Sequence, residues 1–194
     1  NINTGIMDNK KVRGYAYGVI ASVSYGLNPL FALPLYASGI RVDSVLFYRY
    51  VFALLFLAVM MKMSGQSFAL KRNEILPVAV MGLLFSFSSL FLFQSFNYMD
   101  AGIASTILFM YPVLVAVIMA VFFKERLSVV KIASIATAFV GISMLYKGEG
   151  GATLSMTGVC LVLMSSLTYA LYIVGVNRSS LKEMPGLKLT FYAI

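Results

Sequence analysis

Residues 71–126 read KRNEILPVAVMGLLFSFSSLFLFQSFNYMDAGIASTILFMYPVLVAVIMAVFFKER, and this stretch decides the fold. It holds two uncharged runs, Ile75–Met99 and Ala101–Phe123, separated by Asp100 alone. A helix that spans a bilayer needs about 20 mostly apolar residues, so each run can hold one. Bases stand at both outer ends, Lys71 and Arg72 before the first run and Lys124 and Arg126 after the second. Cytoplasmic loops of helical membrane proteins carry the Lys/Arg excess. The pair therefore reads as a hairpin that leaves the cytoplasm, turns at Asp100 and returns.

The same alternation continues in both directions. Lys10, Lys11 and Arg13 precede the apolar run Gly14–Ile40, and Arg41 alone follows it. Asp43–Lys62 forms the next span, interrupted only by Arg49. Beyond the hairpin, Lys131 opens the short run Val129–Tyr146, and Lys147 alone stands at its far end. Gly150–Asn177 is uncharged, and Arg178, Lys182 and Lys188 close it. Bases thus crowd every second gap, which places the amino terminus in the cytoplasm. The pattern predicts an all-α polytopic membrane protein. It is a helical bundle with six complete transmembrane helices and a truncated seventh.

Composition supports this class and excludes others. The chain is 60% hydrophobic and 11% charged, against about 45–50% and about 25% in soluble domains. Strands of a membrane barrel would alternate polar and apolar residues, and these runs do not. The net charge of +8 is accounted for by the positive-inside loops, so no nucleic-acid partner is expected. There is no histidine, which removes His-based catalysis and His metal sites. No cofactor, metal or enzymatic activity is expected. The single cysteine, Cys160, has no disulfide partner in the chain and reads as a packed thiol. The basic flank of the first span suits a signal peptide. Its 27-residue uncharged run is far longer than an h-region of roughly 7–15, so it is kept as a real helix.

An internal repeat appears at a shift of 144 residues. Gly14 then meets Gly158, Ser22 meets Ser166, Ser24 meets Thr168 and Tyr25 meets Tyr169. Gly26 meets Ala170, Leu27 meets Leu171, and Phe47-Tyr48 meets Phe191-Tyr192. The second copy begins five spans after the first, an odd number, so the copies cross the membrane in opposite directions. Inverted repeats are a mark of secondary transporters, whose sites lie at the repeat interface. One repeat is expected over residues 14–147 and the opening of the second over 154–194. Met7-Asp8-Asn9-Lys10-Lys11 reads like a translation start, and the chain stops about nine residues into an apolar segment beginning near Gly186. A fragment of a longer protein is expected.

Particular motifs resemble a known family. Phe123-Lys124-Glu125-Arg126-Leu127-Ser128 followed by Val140-Gly141-Ile142 is similar to the G-E-x-L-S … G-V stretch of the EamA family, in the drug/metabolite transporter superfamily. Asn97-Tyr98-Met99-Asp100-Ala101-Gly102-Ile103-Ala104-Ser105, running to Tyr111-Pro112, resembles its helix 3–4 segment. Ser24-Tyr25-Gly26 and Phe47-Tyr48-Arg49 match its helix 1 and helix 2 patterns. The resemblance implies ten helices in two inverted five-helix repeats. It also implies export or exchange of small metabolites, such as amino acids, across the bacterial inner membrane. Lys124 departs from the family's glycine at that place.

Polar residues within the spans supply the candidate site. Arg49 lies six residues past Asp43, about 9 Å below the outer surface at 1.5 Å per residue. Asn28 lies fourteen residues past Gly14, about 21 Å from the inner surface. In a core of about 30 Å the two share a depth. Intramembrane charges usually face a cavity or a partner. Either Arg49 lines a substrate path and attracts an anionic group, or it snorkels outward or bonds carbonyls of helix 1 freed by Pro29.

Tyr25 and its repeat mate Tyr169 fall near the midplane, which suits a central site lined by both repeats; a buried tyrosine with a local partner is the other reading. Gln94 and Asn97 lie one turn apart and either contact substrate or bridge helices. Tyr111 completes the candidates. Pro112 is expected to kink the fourth span. Gly102, Ser105 and Thr106 form a small-residue face expected to pack. Gly14-x-x-x-Gly18 has dimer-motif spacing, so a homodimer and a contact inside one bundle both stay open. No Asp, Glu or His lies inside a span, so the chain shows no proton-relay carboxylate. A secondary transporter is the reading, and the alternatives are a channel-like protein or a non-transporting scaffold. The lipid bilayer and a small-molecule substrate are the expected partners.

Overall fold

The structure is a computed structural model. It describes residues 2–125, 133, 136, 137, 140 and 155–194, with backbone alone at 2–11 and 13. All regular structure among the described residues is helical. Five helices or helix pairs there are long and apolar enough to cross a membrane: Gly14–Ala37, Val42–Met63, Arg72–Ser95, Ala101–Phe123 and Met156–Arg178. The expected span Val129–Tyr146 lies outside the described residues, save Ala133, Ala136, Thr137 and Val140, which are helical and exposed.

The chain divides into two compact units, residues 1–40 and 41–194. The first unit contains α1 (Ile2–Gly26) and α2 (Asn28–Ala37), which touch each other. The two form one candidate span, interrupted at Leu27. Pro29 explains the interruption, because proline has no N–H to add to the helical ladder.

The second unit is built around a long antiparallel-reading pair, α4 (Arg72–Ser95) and α7 (Met156–Arg178). Against α7 pack the short helices α5 (Ala101–Leu108) and α6 (Tyr111–Phe123). α4 also packs against α3 (Val42–Met63) and α8 (Gly186–Ala193), and a 3-10 turn at Ser180–Glu183 joins α7 to α8.

The buried stripe of α7 explains its central place. Gly158, Val162, Ser165, Ser166, Ala170 and Val174 are buried and recur every three or four residues, the spacing of one helical face. Cys160 stands two residues past Gly158, about 200° around the helix. It is exposed, so the expectation of a packed thiol is corrected. Gly158 is required by close approach: a Cβ there would meet the Met99 sulfur at 2.9 Å.

Serines fasten α4 to α7 from within. Ser88 Oγ donates to the Ser165 carbonyl at 2.9 Å, and Ser165 Oγ donates to the Ser88 carbonyl at 2.6 Å. Both residues are buried. In a bilayer lipid tails are as apolar as leucine, so small residues and interhelical hydrogen bonds drive such packing. The outward surface carries large apolar side chains, among them Phe47, Phe52, Phe56, Phe87 and Phe122. That surface suits hydrocarbon as solvent.

Asp100, the acid between the two arms of the hairpin, caps α5. Its Oδ1 accepts from the N–H groups of Gly102 at 2.8 Å and Ile103 at 3.2 Å, satisfying two donors at a helix start. The packing face of α5 runs through Ala101, Ala104, Ile107 and Leu108. The expected face of Gly102, Ser105 and Thr106 is corrected: Gly102 is exposed, and the two hydroxyls bond back to Ala101 and Gly102 carbonyls at 2.7 and 2.9 Å.

Candidate functional site

Proline chemistry sets the geometry of the site. A helical carbonyl normally accepts from the N–H four residues on. For Leu108 that residue is Pro112, which has none. The fourth span accordingly divides at Phe109–Met110 into α5 and α6, and Tyr111 becomes the first residue of α6. The kink expected from Pro112 is thus a full break, placed one turn earlier because the ring disturbs the turn before it.

The break turns Tyr111 toward α7. Its ring meets that of Tyr169 edge-on, with centroids 4.8 Å apart. Tyr169 also stacks with Tyr172 at 5.9 Å, and Phe85 of α4 joins both at 6.3 and 5.5 Å. Edge-to-face and offset pairs are the favoured aromatic arrangements. All four side chains are half-buried. Tyr111 and Tyr169 were candidates from sequence, and the structure brings them together. Tyr172 and Phe85 were missed. Tyr172 stands three residues past Tyr169, a helical neighbour, and that spacing was the available signal.

Arg49 has a different neighbourhood. Its guanidinium lies over the ring of Phe93 on α4, 5.0 Å from the centroid. None of the partners expected from sequence, an anionic substrate group, the outer surface or helix 1 carbonyls, included this ring. A guanidinium on an aromatic face gains electrostatic attraction worth about 0.5–1 kcal/mol when exposed and more when desolvated. Phe93 stands eight residues past Phe85, roughly 12 Å further along α4. Arg49 and the aromatic cluster therefore mark two levels of the bundle.

Gln94 is half-buried in the last turn of α4, and Asn97 is exposed in the turn that follows. The Asn97 N–H donates to the Gln94 carbonyl at 3.2 Å, so both sit at the Phe93 end. Tyr25 and Asn28 belong to the first unit, on either side of the Leu27 break; Tyr25 is exposed and Asn28 half-buried.

At the other end of α6, Lys124 adopts a left-handed conformation with φ 53°. Glu125 N–H reaches back six residues to the Met119 carbonyl at 3.2 Å, so the chain closes over the helix end beyond the left-handed residue. Glycine is favoured at this cap position because it has no Cβ penalty. Glu125 then pairs with Arg178 at 2.8 Å, and Arg178 also covers the Phe123 ring at 4.3 Å. The ends of α6 and α7 are joined there. No group of three or more His, Cys, Asp or Glu side chains suited to a metal occurs among the described residues.

The sequence model of the EamA-like transporter family matches residues 12–147. This chain belongs to the EamA-like transporter family. The left-handed cap gives a physical reason for the glycine that EamA proteins usually carry where Lys124 stands here. Among curated relatives, the chain is 29% identical over 131 residues to the uncharacterized transporter YxxF of Bacillus subtilis, covering 65% of this chain and 42% of that protein. It is 29% identical over 104 residues to the uncharacterized transporter YvbV of the same organism, covering 53% of this chain and 34% of that one. An uncharacterized transporter of Archaeoglobus fulgidus is 28% identical over 75 residues, covering 39% of this chain and 26% of the relative. The matched segments span less than half the length of these relatives. No solved structure matches. Membership of EamA, the transporter names of the relatives and the apolar helices make this a multi-pass membrane protein of transporter type.

Proposed function

We propose that the protein is a secondary transporter of small metabolites, such as amino acids or related compounds, working by alternating access as an exporter or exchanger. Its path runs past two levels. Arg49, with Gln94 and Asn97 nearby in the outer half, attracts an anionic group. Tyr111 and Tyr169, joined by Tyr172 and Phe85, form the mid-membrane level. Tyr25 and Asn28 are separate substrate-path candidates of helix 1. The two inverted repeats open at residues 14 and 154, and the amino terminus faces the cytoplasm of a bacterial inner membrane.

The observation that carries this reading is the Tyr111–Tyr169 contact at 4.8 Å. It joins a residue of the first repeat to one of the second, and sites of inverted-repeat carriers form where repeats meet. The broken helix beside it adds support, because discontinuous helices recur at such sites. Asp43 and Glu74 stand in the first turns of α3 and α4, and no carboxylate lies deeper in the described spans; coupling then rests either on groups elsewhere in the protein or on exchange or facilitated movement without a proton relay.

The test is an uptake screen in proteoliposomes made with the complete gene product, using labelled amino acids, organic acids and nucleosides. Saturable uptake accelerated by substrate preloaded on the opposite side supports the exchanger. Flux without saturation indicates a channel, and no flux of any compound indicates a scaffold.

A further inference from the structure

We infer that Ser166 is a positioning residue: it bonds the carbonyl that Pro112 leaves without a helical donor, and so seats Tyr111 against Tyr169. Ser166 is fully buried. Its Oγ lies 3.2 Å from the Leu108 carbonyl oxygen and 3.0 Å from its own Val162 carbonyl. The hydroxyl has one proton for two acceptors. The Val162 carbonyl already faces the N–H of Ser166 in the helical ladder of α7. The Leu108 carbonyl has lost its ladder donor to Pro112. In a spanning segment an unsatisfied backbone group is costly, and serine side chains are among the groups that restore the balance beside proline. The need is therefore greater at Leu108.

Two comparisons within the chain separate this role from ordinary back-bonding. Ser22, the repeat mate of Ser166, bonds the Gly18 carbonyl four residues back at 2.9 Å. That is the local bond that serines commonly make in helices. Ser166 makes that bond and adds a contact 58 residues away in sequence. The second comparison is at Pro77, which removes the ladder donor of the Asn73 carbonyl. There Ser180 Oγ approaches that carbonyl at 3.5 Å. At both sites a serine from α7 or the turn after it meets a proline-deprived carbonyl.

The consequence reaches the aromatic cluster. Ser166 and Tyr169 are three residues apart, so they share a face of α7. Leu108 and Tyr111 are likewise three apart across the break. One contact holds the carbonyl side of the break, and the other is the ring pair. Without the hydroxyl, the break relaxes toward whatever donor it finds, and Tyr111 turns with it. The functional weight of this role rests on the proposed aromatic site; its geometry does not.

The experiment uses the whole protein in detergent and in proteoliposomes. Fluorotyrosine is incorporated at position 111, and its fluorine resonance is recorded in Ser166, Ser166→Ala and Ser166→Thr proteins. Ser166→Ala shifts the resonance, and Ser166→Thr, which keeps the hydroxyl, restores it. An unmoved resonance in Ser166→Ala overturns the inference. A thermal-denaturation cycle gives a second, independent arm. Ser166→Ala lowers the midpoint by several degrees, whereas in a Pro112→Ala background, where residue 112 again supplies an N–H, the drop is less than half as large. Equal drops in both backgrounds overturn the inference. A shifted resonance together with unchanged uptake of a labelled amino-acid mixture by Tyr111→Phe and Tyr169→Phe supports Ser166 positioning and removes the aromatic site instead.

Discussion

Ser88 on α4 and Ser165 on α7 hydrogen-bond each other's backbone reciprocally, each hydroxyl donating to the other's carbonyl, at 2.9 and 2.6 Å. Their hydroxyl oxygens also lie 3.1 Å apart. The arrangement is symmetric, and each acceptor is a backbone carbonyl, so replacing one serine by alanine removes one bond and leaves the other's acceptor in place.

That symmetry gives a stability prediction. Ser165→Ala should cost about 1 kcal/mol, within the range measured for hydrogen bonds between membrane helices. The double variant with Ser88→Ala should cost less than the two single changes added together, because the 3.1 Å contact between the two hydroxyls is lost in either single change and counted only once in the double. Equilibrium unfolding in mixed detergent measures all four species. Strict additivity would show that the two serines act independently.

The left-handed Lys124 carries the second prediction. A non-glycine residue in this conformation costs about 1–2 kcal/mol, and glycine returns about 0.5–1 kcal/mol of that as backbone entropy. Lys124→Gly should therefore raise stability by about 0.5–1 kcal/mol. Lys124→Val should lower it, because β-branching worsens the clash. Denaturation midpoints of the two variants should move in opposite directions.

Arg49 supplies the third. Arg49→Ala should reduce transport roughly tenfold, equivalent to about 1.4 kcal/mol, with membrane expression unchanged. Arg49→Lys keeps the charge but loses the planar stacking on Phe93, and should recover part of the flux. Phe93→Leu tests the stacking itself. Full flux in the alanine variant would remove Arg49 from the path.

Orientation is the fourth. With Cys160 replaced by alanine, a cysteine at Tyr98 should react with an impermeant maleimide in intact cells. A cysteine at Ser67 should react only after permeabilisation. The reverse pattern would invert the topology.

The spans were legible because a bilayer imposes length and the loops carry charge. Lys71, Arg72, Lys124 and Asp100 were enough to frame the α4–α6 hairpin, and Asp100 proved to be the cap on which its second arm starts. Pro29 and Pro112 gave the two helix breaks to within a turn, since proline acts on the four residues before it. Tyr111 and Tyr169 were named, but not their contact, which depends on how α6 and α7 pack. Ser88 and Ser165 had no local signal. A serine in an apolar run looks the same whether it faces a neighbour or its own helix, and the partner here is 77 residues away. Cys160 was misplaced for a similar reason: an apolar all-round helix does not announce which side is inside. Arg49 was recognised as needing a partner, but the sequence does not single out Phe93 among its many aromatics.

The distance between Ser88 and Ser165 also sets a schedule for biosynthesis. The ribosome adds roughly 5–20 residues per second, and 77 residues separate the two serines. The third span therefore enters the membrane about 4–15 seconds before its buried partner exists. During that interval the Ser88 hydroxyl has only its own helix, the insertion machinery, transient neighbours or lipid to face. Pauses in translation before residue 156 lengthen that exposure, so the yield of assembled protein should respond to codon choice in this interval more than to codon choice near the start of the gene.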